Sequence, residues 1–349
     1  MKIIYFAFNL SILGGVRAQN RAFIGALKDM GNQVKLVELK KSSSFGKLSF
    51  VLRAFFAEIF YRPQLIIVGH VNFSPLCLFF KKIFGTKYII TTHGTDVWGL
   101  KSKSRIAALK NADKIISVSS YTANRMESEI GGLAEKFMII PNTIDPDKFK
   151  IRPKSAEFLE KYNLVGKKII LTVARLSAQE KYKGYCEVIR AMPAILKSVP
   201  SARYLLVGSG DDEARIKNLI SELALNKEIT LAGRIGDNLL VDCYNSADVF
   251  AMPSSIEGFG IVFIESTACG VPVVAGNKDG SVGATLNGEL GILVDPNSTN
   301  EIAAAIISIL SGTADKRFYD KEFLRKKTLE NFGPNILSQK IAFLLDKLK

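Results

Sequence analysis

Histidine is nearly missing: 349 residues contain only His70 and His93. That argues against a structural zinc site. The four cysteines, Cys77, Cys186, Cys243 and Cys269, are scattered and never adopt C-x-x-C spacing. They read as reduced thiols of a cytoplasmic protein, with neither a disulfide framework nor a structural metal. No apolar run reaches the ~18 residues that a membrane-spanning helix needs. The dinucleotide fingerprint G-x-G-x-x-G is absent, which argues against a Rossmann oxidoreductase. There is no short repeat and no low-complexity tract.

Acidic residues are scarce in one half only. Residues 1–150 hold 22 Lys and Arg against 10 Asp and Glu, a balance of +12 out of the chain's +14. An anionic partner for that half is the expectation: a membrane surface, an acidic substrate or nucleic acid. Basic motifs interleaved with aromatics, the mark of nucleic-acid binding, are lacking. Segments 40–62 and 73–85 instead mix large apolar groups with Lys and Arg, a composition that suits an interfacial helix on an anionic leaflet.

What is present is an alternation of short β-rich runs with amphipathic helical runs. KIIYFAF, QVKLVEL, QLIIVG, KYIITT and KIISVS read as strands, and the opening MKIIYFAFNLSILGG as a buried strand entering a glycine turn rather than a signal peptide. A proline-bearing connector over 141–168 follows. The series then restarts with IILTVA, RYLLVG, EITLAG, DVFAMP, VPVVAG and ELGILVDP. Near-continuous apolar strands between helices imply parallel sheets covered on both faces. Ser298 and Glu301, three apart, predict a capping box. The expected architecture is two doubly wound α/β domains, Rossmann-like, facing a central cleft: 1–150, 151–330, and a terminal helix over 331–349 that returns toward the first domain.

In such sheets ligands bind beyond the carboxyl ends of strands, and the chemistry-bearing residues fall there. DVFAMPSSIEGFG runs from a strand into a loop, and a helix starts near Gly260. Glu257 stands just outside that helix and Glu265 one turn inside it, among Ile261, Val262, Phe263, Ile264, Ala268 and Cys269. A helix N-terminus favours phosphate, whereas a carboxylate beside it favours the hydroxyls of a sugar or ribose. Together they point to the two sugars of a nucleotide-sugar. Arg175 and Lys183 follow the first strand of the second domain and suit a diphosphate. Gly14-Gly15 after the first strand allows a close backbone approach, and a plain turn explains it equally well. His93 follows a strand beside Gly94. His70, also at a strand end, reads as a supporting residue.

Glu257-Gly-Phe-Gly-Ile-Val-Phe-Ile-Glu265 followed by Cys-Gly-Val-Pro-Val-Val resembles the Glu–seven residues–Glu signature of retaining glycosyltransferases of family 4, which have the GT-B fold. Gly14-Gly15, THG at 92–94, PNTID at 141–145, Arg175 with Lys183-Gly184, VGSGDDEARIKNL at 207–219, LAGRI at 231–235 and GELGILVDP at 288–296 occur in the family's order. The resemblance implies transfer of a hexose-type sugar from a UDP- or GDP-sugar, with retention, no metal and no cofactor. The acceptor implied is lipid-linked or a polysaccharide, at the cytoplasmic face of the inner membrane. It also implies roles. Arg175 and Lys183 would neutralise the diphosphate, and the backbone of Phe259, Gly260 and Ile261 would help hold it. Glu265 would accept from the ribose, and Glu257 would bind the transferred sugar. Gly233, Arg234 and Ile235 would line the base. Gly15, with Gly14, would close over the diphosphate, and His93 would lie near the reacting carbon. This sequence departs from the family at Ala174 before Arg175, at Thr143 in PNTID, and in NKDGSVGAT at 277–285, where Gly-Pro-Glu is commoner. The alternatives are a sugar-nucleotide epimerase of the same fold and a non-enzymatic protein that binds through its basic surface.

Overall fold

The structure is a computed structural model that describes residues 1–11 and 14–348. These form two compact units. One comprises Met1–Thr143 and the helix Pro334–Asp346; the other is Ile144–Gly333.

In the first unit the strands are β1 (Lys2–Phe8), β2 (Gln33–Leu39), β3 (Leu65–Val68), β4 (Lys87–Thr92), β5 (Lys114–Ser117) and β6 (Phe137–Ile139). They form one parallel sheet in the order β2-β1-β3-β4-β5-β6. Successive side chains of a strand face opposite sides, and both sides are filled. Ile4, Phe6, Ile66 and Val68 pack with Phe50, Cys77 and Phe80. Ile3, Tyr5, Leu65 and Ile67 pack with Phe23 and Leu27 of the helix Gly15–Asp29 and with Leu337, Ile341 and Leu344 of the terminal helix. This is why the strands read as unbroken apolar runs. The short edge strand β6 escapes sequence reading because its three residues are only half-buried.

In the second unit the strands are β7 (Lys168–Val173), β8 (Ala202–Val207), β9 (Ile229–Gly233), β10 (Val249–Met252), β11 (Val273–Gly276) and β12 (Gly291–Val294). Their order is β12-β11-β10-β7-β8-β9, again all parallel. On one face Ile170, Tyr204, Leu206 and Val274 meet Val188, Met192 and Ile195 of the helix Tyr185–Ser198 and Ile302 and Ile306 of the helix Thr299–Leu310. On the other, Phe250 packs on Tyr244 and edge-on to Phe263. The 141–168 segment is not wholly irregular: Ser155 caps a short helix, Ala156–Lys161, by accepting from the Phe158 amide. The capping box at Thr299–Leu310 forms by half. Ser298 Oγ accepts from the Glu301 amide at 3.2 Å, but the Glu301 carboxylate turns to the Asp295 amide, 2.9 Å away.

The first strand of this unit lies mid-sheet. The chain builds outward to β9, then returns to lay β10 on the other side of β7. Loops leaving β7 and β10 therefore lead to helices on opposite faces of the sheet, and in open α/β sheets ligands bind at the carboxyl ends of such a switch point. Strand pairing stops at Leu171 and Phe250. One residue further, the buried Thr172 hydroxyl donates to the Ala251 carbonyl and accepts from Tyr204 Oη at 2.7 Å. One side chain thus spans the gap where the ladder ends. Thr172→Val, nearly isosteric, would leave a buried carbonyl and a buried phenol without partners. A loss of about 1–3 kcal/mol is expected, read as a lower urea midpoint for this unit. An unchanged midpoint would show that the bridge contributes nothing.

Candidate functional site

The loop after β7 carries Arg175 to Gly184, and the loop after β10 carries Pro253 to Gly260. Backbone contacts join the two. The Ser255 amide donates to the Tyr182 carbonyl at 2.9 Å. Gly184 has φ +78, and a Cβ there would lie 2.3 Å from the Pro253 carbonyl oxygen, so only glycine permits this approach.

The contact brings Lys183 to Glu257, and the two form an ion pair with both side chains 16% exposed. Burial alone would depress the Lys183 ammonium, but the charges of Glu257 and Glu180 outweigh it and hold the pKa above the ordinary lysine value. Arg175, 71% exposed, pairs with Glu180, which is 14% exposed. Glu180 also stands 3.9 Å from Lys183. The structure therefore gathers Arg175, Lys183 and Glu257 into one cluster at the crevice and adds Glu180, a residue the sequence did not single out.

Glu257 is fixed from behind by a second unanticipated residue. Asp279, only 2% exposed, follows β11. Its Oδ2 accepts from the Glu257 amide at 2.7 Å and from Ser254 Oγ at 2.8 Å, and its Oδ1 from the Ser281 amide at 2.9 Å. The Gly280 amide closes the loop pair onto the Glu257 carbonyl at 2.8 Å. Burial raises the Asp279 pKa and these donors oppose the rise. A buried carboxylate satisfied by so many donors is a latch, and it lies in NKDGSVGAT, where the sequence departs from its family.

The helix Ile261–Ala268 begins after Gly260, which has φ +82, and no side chain caps its N-terminus. Its amide dipoles point toward the crevice end of the sheet. Phe259 is buried edge-on against Phe332 at 5.4 Å, and Ile261 opens the helix half-buried. One turn on, Glu265 Oε2 accepts from the buried Tyr244 hydroxyl at 2.6 Å. Oε1 has no protein donor among the described residues. Gly233, Arg234 and Ile235 leave β9, two strands from β7; Gly233 accepts from the Gly208 amide at 2.9 Å, and Arg234 is exposed.

His93, Gly14 and Gly15 belong to the first unit. There the switch lies between β1 and β3, and the residues sit at the same carboxyl edge. His93 Nε2 is 3.1 Å from the Gly69 carbonyl, and its amide donates to Asp96 at 2.9 Å. Because a carbonyl oxygen only accepts, Nε2 carries the hydrogen in this contact. His70 Nδ1 instead accepts from the Asn72 amide, and burial depresses its pKa against the pull of Asp96, in keeping with a supporting place. Gly14, with φ +148, precedes the helix that begins at Gly15; Ile12 and Leu13 of the SILGG run lie outside the described residues. Among the described residues no group of His, Cys, Asp and Glu is arranged to hold a metal, and all four cysteines are free and buried.

Burial raises the Glu265 pKa above its ordinary value, only partly offset by the Tyr244 bond. The folded protein thus holds this proton more readily than the unfolded chain does. Stability from this group is fully present below the ordinary glutamate range and falls as pH rises through the raised value. Glu265→Gln keeps an acceptor for Tyr244 and removes that loss. It is expected to melt above wild type near about pH 7.5, the difference closing toward about pH 4. A variant melting below wild type at neutral pH would contradict this account.

Comparison with known proteins agrees with the geometry. Residues 154–324 match the family described as Glycosyl transferases group 1, and residues 33–148 match Glycosyltransferase Family 4. A GDP-mannose-dependent alpha-(1-6)-phosphatidylinositol monomannoside mannosyltransferase of Mycolicibacterium smegmatis is 31% identical over 237 residues, 64% of this chain and 61% of that protein. A D-inositol 3-phosphate glycosyltransferase of Rhodococcus jostii is 30% identical over 250 residues, 62% of this chain and 55% of that protein. The match thus spans about six tenths of these relatives. Among solved structures, sucrose-phosphate synthase from Thermosynechococcus elongatus superposes with a TM-score of 0.82 at 23% identity, covering 99% of this chain and 98% of that one. Anabaena Alr3699/HepE in complex with UDP gives 0.79 at 20%, covering 99% and 100%. At those identities the likeness is one of fold. With two parallel six-stranded sheets and family matches over both units, this chain belongs to the group 1, family 4 glycosyltransferases of the GT-B fold.

Proposed function

We propose that the protein transfers a hexose from a nucleoside-diphosphate sugar, UDP- or GDP-linked, to a lipid-linked or polysaccharide acceptor, with retained configuration and without a metal. The observation that carries this is the cluster of Arg175, Lys183 and Glu257 at the β7/β10 switch point, beside an uncapped helix N-terminus. Two cations and a helix end suit a diphosphate leaving group. They would stabilise the charge that grows on it as the glycosidic bond breaks. Glu257 would accept from hydroxyls of the transferred sugar, Glu265 Oε1 from the ribose. Gly233, Arg234 and Ile235 would flank the base. The relatives' names, GDP-mannose-dependent in one case, and the UDP-bound neighbour support a nucleotide-sugar donor.

On the acceptor side, the first unit carries an apolar surface unusual for a solvent-facing one. The helix Ser44–Phe56 and the turn Ala57–Tyr61 expose Phe45 (81%), Phe56 and Phe60 (75%); the neighbouring helix Ser74–Phe84 exposes Ile83 (60%) and Phe84. Phe55 packs on Phe79 and Phe80, so the two segments lie side by side. Lys40, Lys41, Lys47, Arg53, Arg62 and Lys82 are exposed on or beside the same segments. No helix among the described residues is long and apolar enough to cross a membrane. Apolar rings fringed by cations suit an anionic leaflet, which would place the enzyme at the cytoplasmic face of the inner membrane with a lipid-linked acceptor.

Two measurements test these readings. In a thermal-shift panel with EDTA, UDP or GDP should stabilise the protein, by about 2.7 kcal/mol at 100 times its dissociation constant. Glu257→Gln should lower transfer by about 10²–10³-fold while nucleoside diphosphate binding survives; full activity would remove Glu257 from the chemistry. In vesicle sedimentation at low salt, binding to anionic but not zwitterionic vesicles is expected, with clear loss in Phe56→Ser/Phe60→Ser. Equal recovery in both pellets, or in neither, would reject the membrane reading.

A further inference from the structure

The cations of the proposed donor site already carry two carboxylates, and only Glu257 has a use in sugar recognition. Glu180 has none. It stands at the start of the short turn Lys181–Lys183, held by its amide to Ser177 at 2.8 Å and by its carbonyl to the Lys183 amide at 3.1 Å. Its Oε1 accepts from Arg175 Nη2. Its Oε2 faces Lys183 Nζ at 3.9 Å, beyond hydrogen-bond reach, and is buried with no hydrogen-bond donor among the described residues.

An unsatisfied buried carboxylate oxygen is unfavourable, so a purely structural strut would not be built this way. Lys183 needs no strut from Glu180, because Glu257 pairs with it and the Tyr182–Ser255 backbone bond fixes its turn. Among the described residues Arg175, largely exposed, is tethered by Glu180 alone. Two carboxylates on two cations leave the cluster with no net charge, although its proposed ligand is a polyanion. Glu180 thus lies between the same two cations that would grip a diphosphate, one oxygen toward each.

We propose that Glu180 is a built-in counter-anion that occupies the diphosphate subsite when the donor is absent and competes with the nucleoside diphosphate for Arg175 and Lys183. This rests on the donor-site reading above. The consequence is kinetic. As the sugar leaves, the product diphosphate meets a carboxylate ready to take back both cations, so product is held less tightly than the cations alone would hold it.

The test compares wild type with Glu180→Gln by calorimetric titration of UDP, GDP and inorganic pyrophosphate, with the free nucleosides as controls. Glu180→Gln is expected to bind the preferred nucleoside diphosphate about tenfold more tightly, equivalent to about 1.4 kcal/mol. Pyrophosphate should gain in parallel, nucleoside affinity should not change, and turnover at saturating donor should fall as product release slows. Glu180→Ala should shift diphosphate affinity in the same direction. Weaker or unchanged diphosphate binding in a variant with wild-type nucleoside affinity overturns the proposal and makes Glu180 a mere holder of Arg175. Failure of wild type to bind any nucleoside diphosphate is a different result: it overturns the donor-site reading, and this inference with it.

Discussion

The ion pair between Lys183 and Glu257 joins residues 74 positions apart, and the rest of the site is arranged around it. It forms because β7 and β10 are neighbours and the loops that follow them touch. Parallel pairing places both loops at the same sheet edge, the Thr172 hydroxyl bridges the strands where the ladder stops, and Gly184 lets one loop rest on the carbonyl of the other. Asp279 then holds the backbone of Glu257 from the far side. Each of these is a close-packed or fully hydrogen-bonded contact. The exposed part of the cluster is Arg175, whose long side chain is mostly in water.

Most of the fold was legible in the sequence, because a strand buried on both faces writes itself as an apolar run and the helices between keep their own period. The loop and helix carrying Glu257 and Glu265 were legible for the same reason: a strand, a glycine-bearing loop and a capless helix start are local events. What escaped were contacts made across loops. Glu180 looks like any surface acid until Arg175 and Lys183 are seen on either side of it. Tyr244 reads as one more aromatic of an amphipathic helix until its hydroxyl is found on Glu265. Asp279 reads as a turn residue, since Asp-Gly is a turn signal, and only the fold shows that its carboxylate accepts from Ser254 and Glu257, 25 and 22 positions away. The half-formed capping box has the same origin. Spacing allowed the Glu301 carboxylate to reach back, but the Ser298 amide is already given to the Asp295 carbonyl and the carboxylate takes the Asp295 amide instead.

The second unit accepts local disfavour at several places together. Glu265 and Asp279 are carboxylates whose pKa values burial pushes up, and Glu180 keeps one oxygen unpaired. None of these is what a stability-optimised core would contain. They gather around one sheet edge, while the cluster beneath is built from apolar side chains such as Ile170, Val188 and Ile306. Such a division, strain at the edge and ordinary packing below, is what a ligand-receiving site on a rigid scaffold requires.

The last helix, Pro334–Asp346, completes the core of the first unit, packing Leu337, Ile341 and Leu344 against Phe23 and Leu27. On the ribosome the first unit therefore emerges early but lacks one wall until the entire second unit has been made. At about 5–20 residues per second the interval is on the order of 10–40 s. Throughout it, Phe23, Ile24 and Leu27 present an uncovered apolar stripe on a nascent chain. The order of synthesis thus makes the second unit the first that can close fully, and the unit that begins the chain is the last to be sealed.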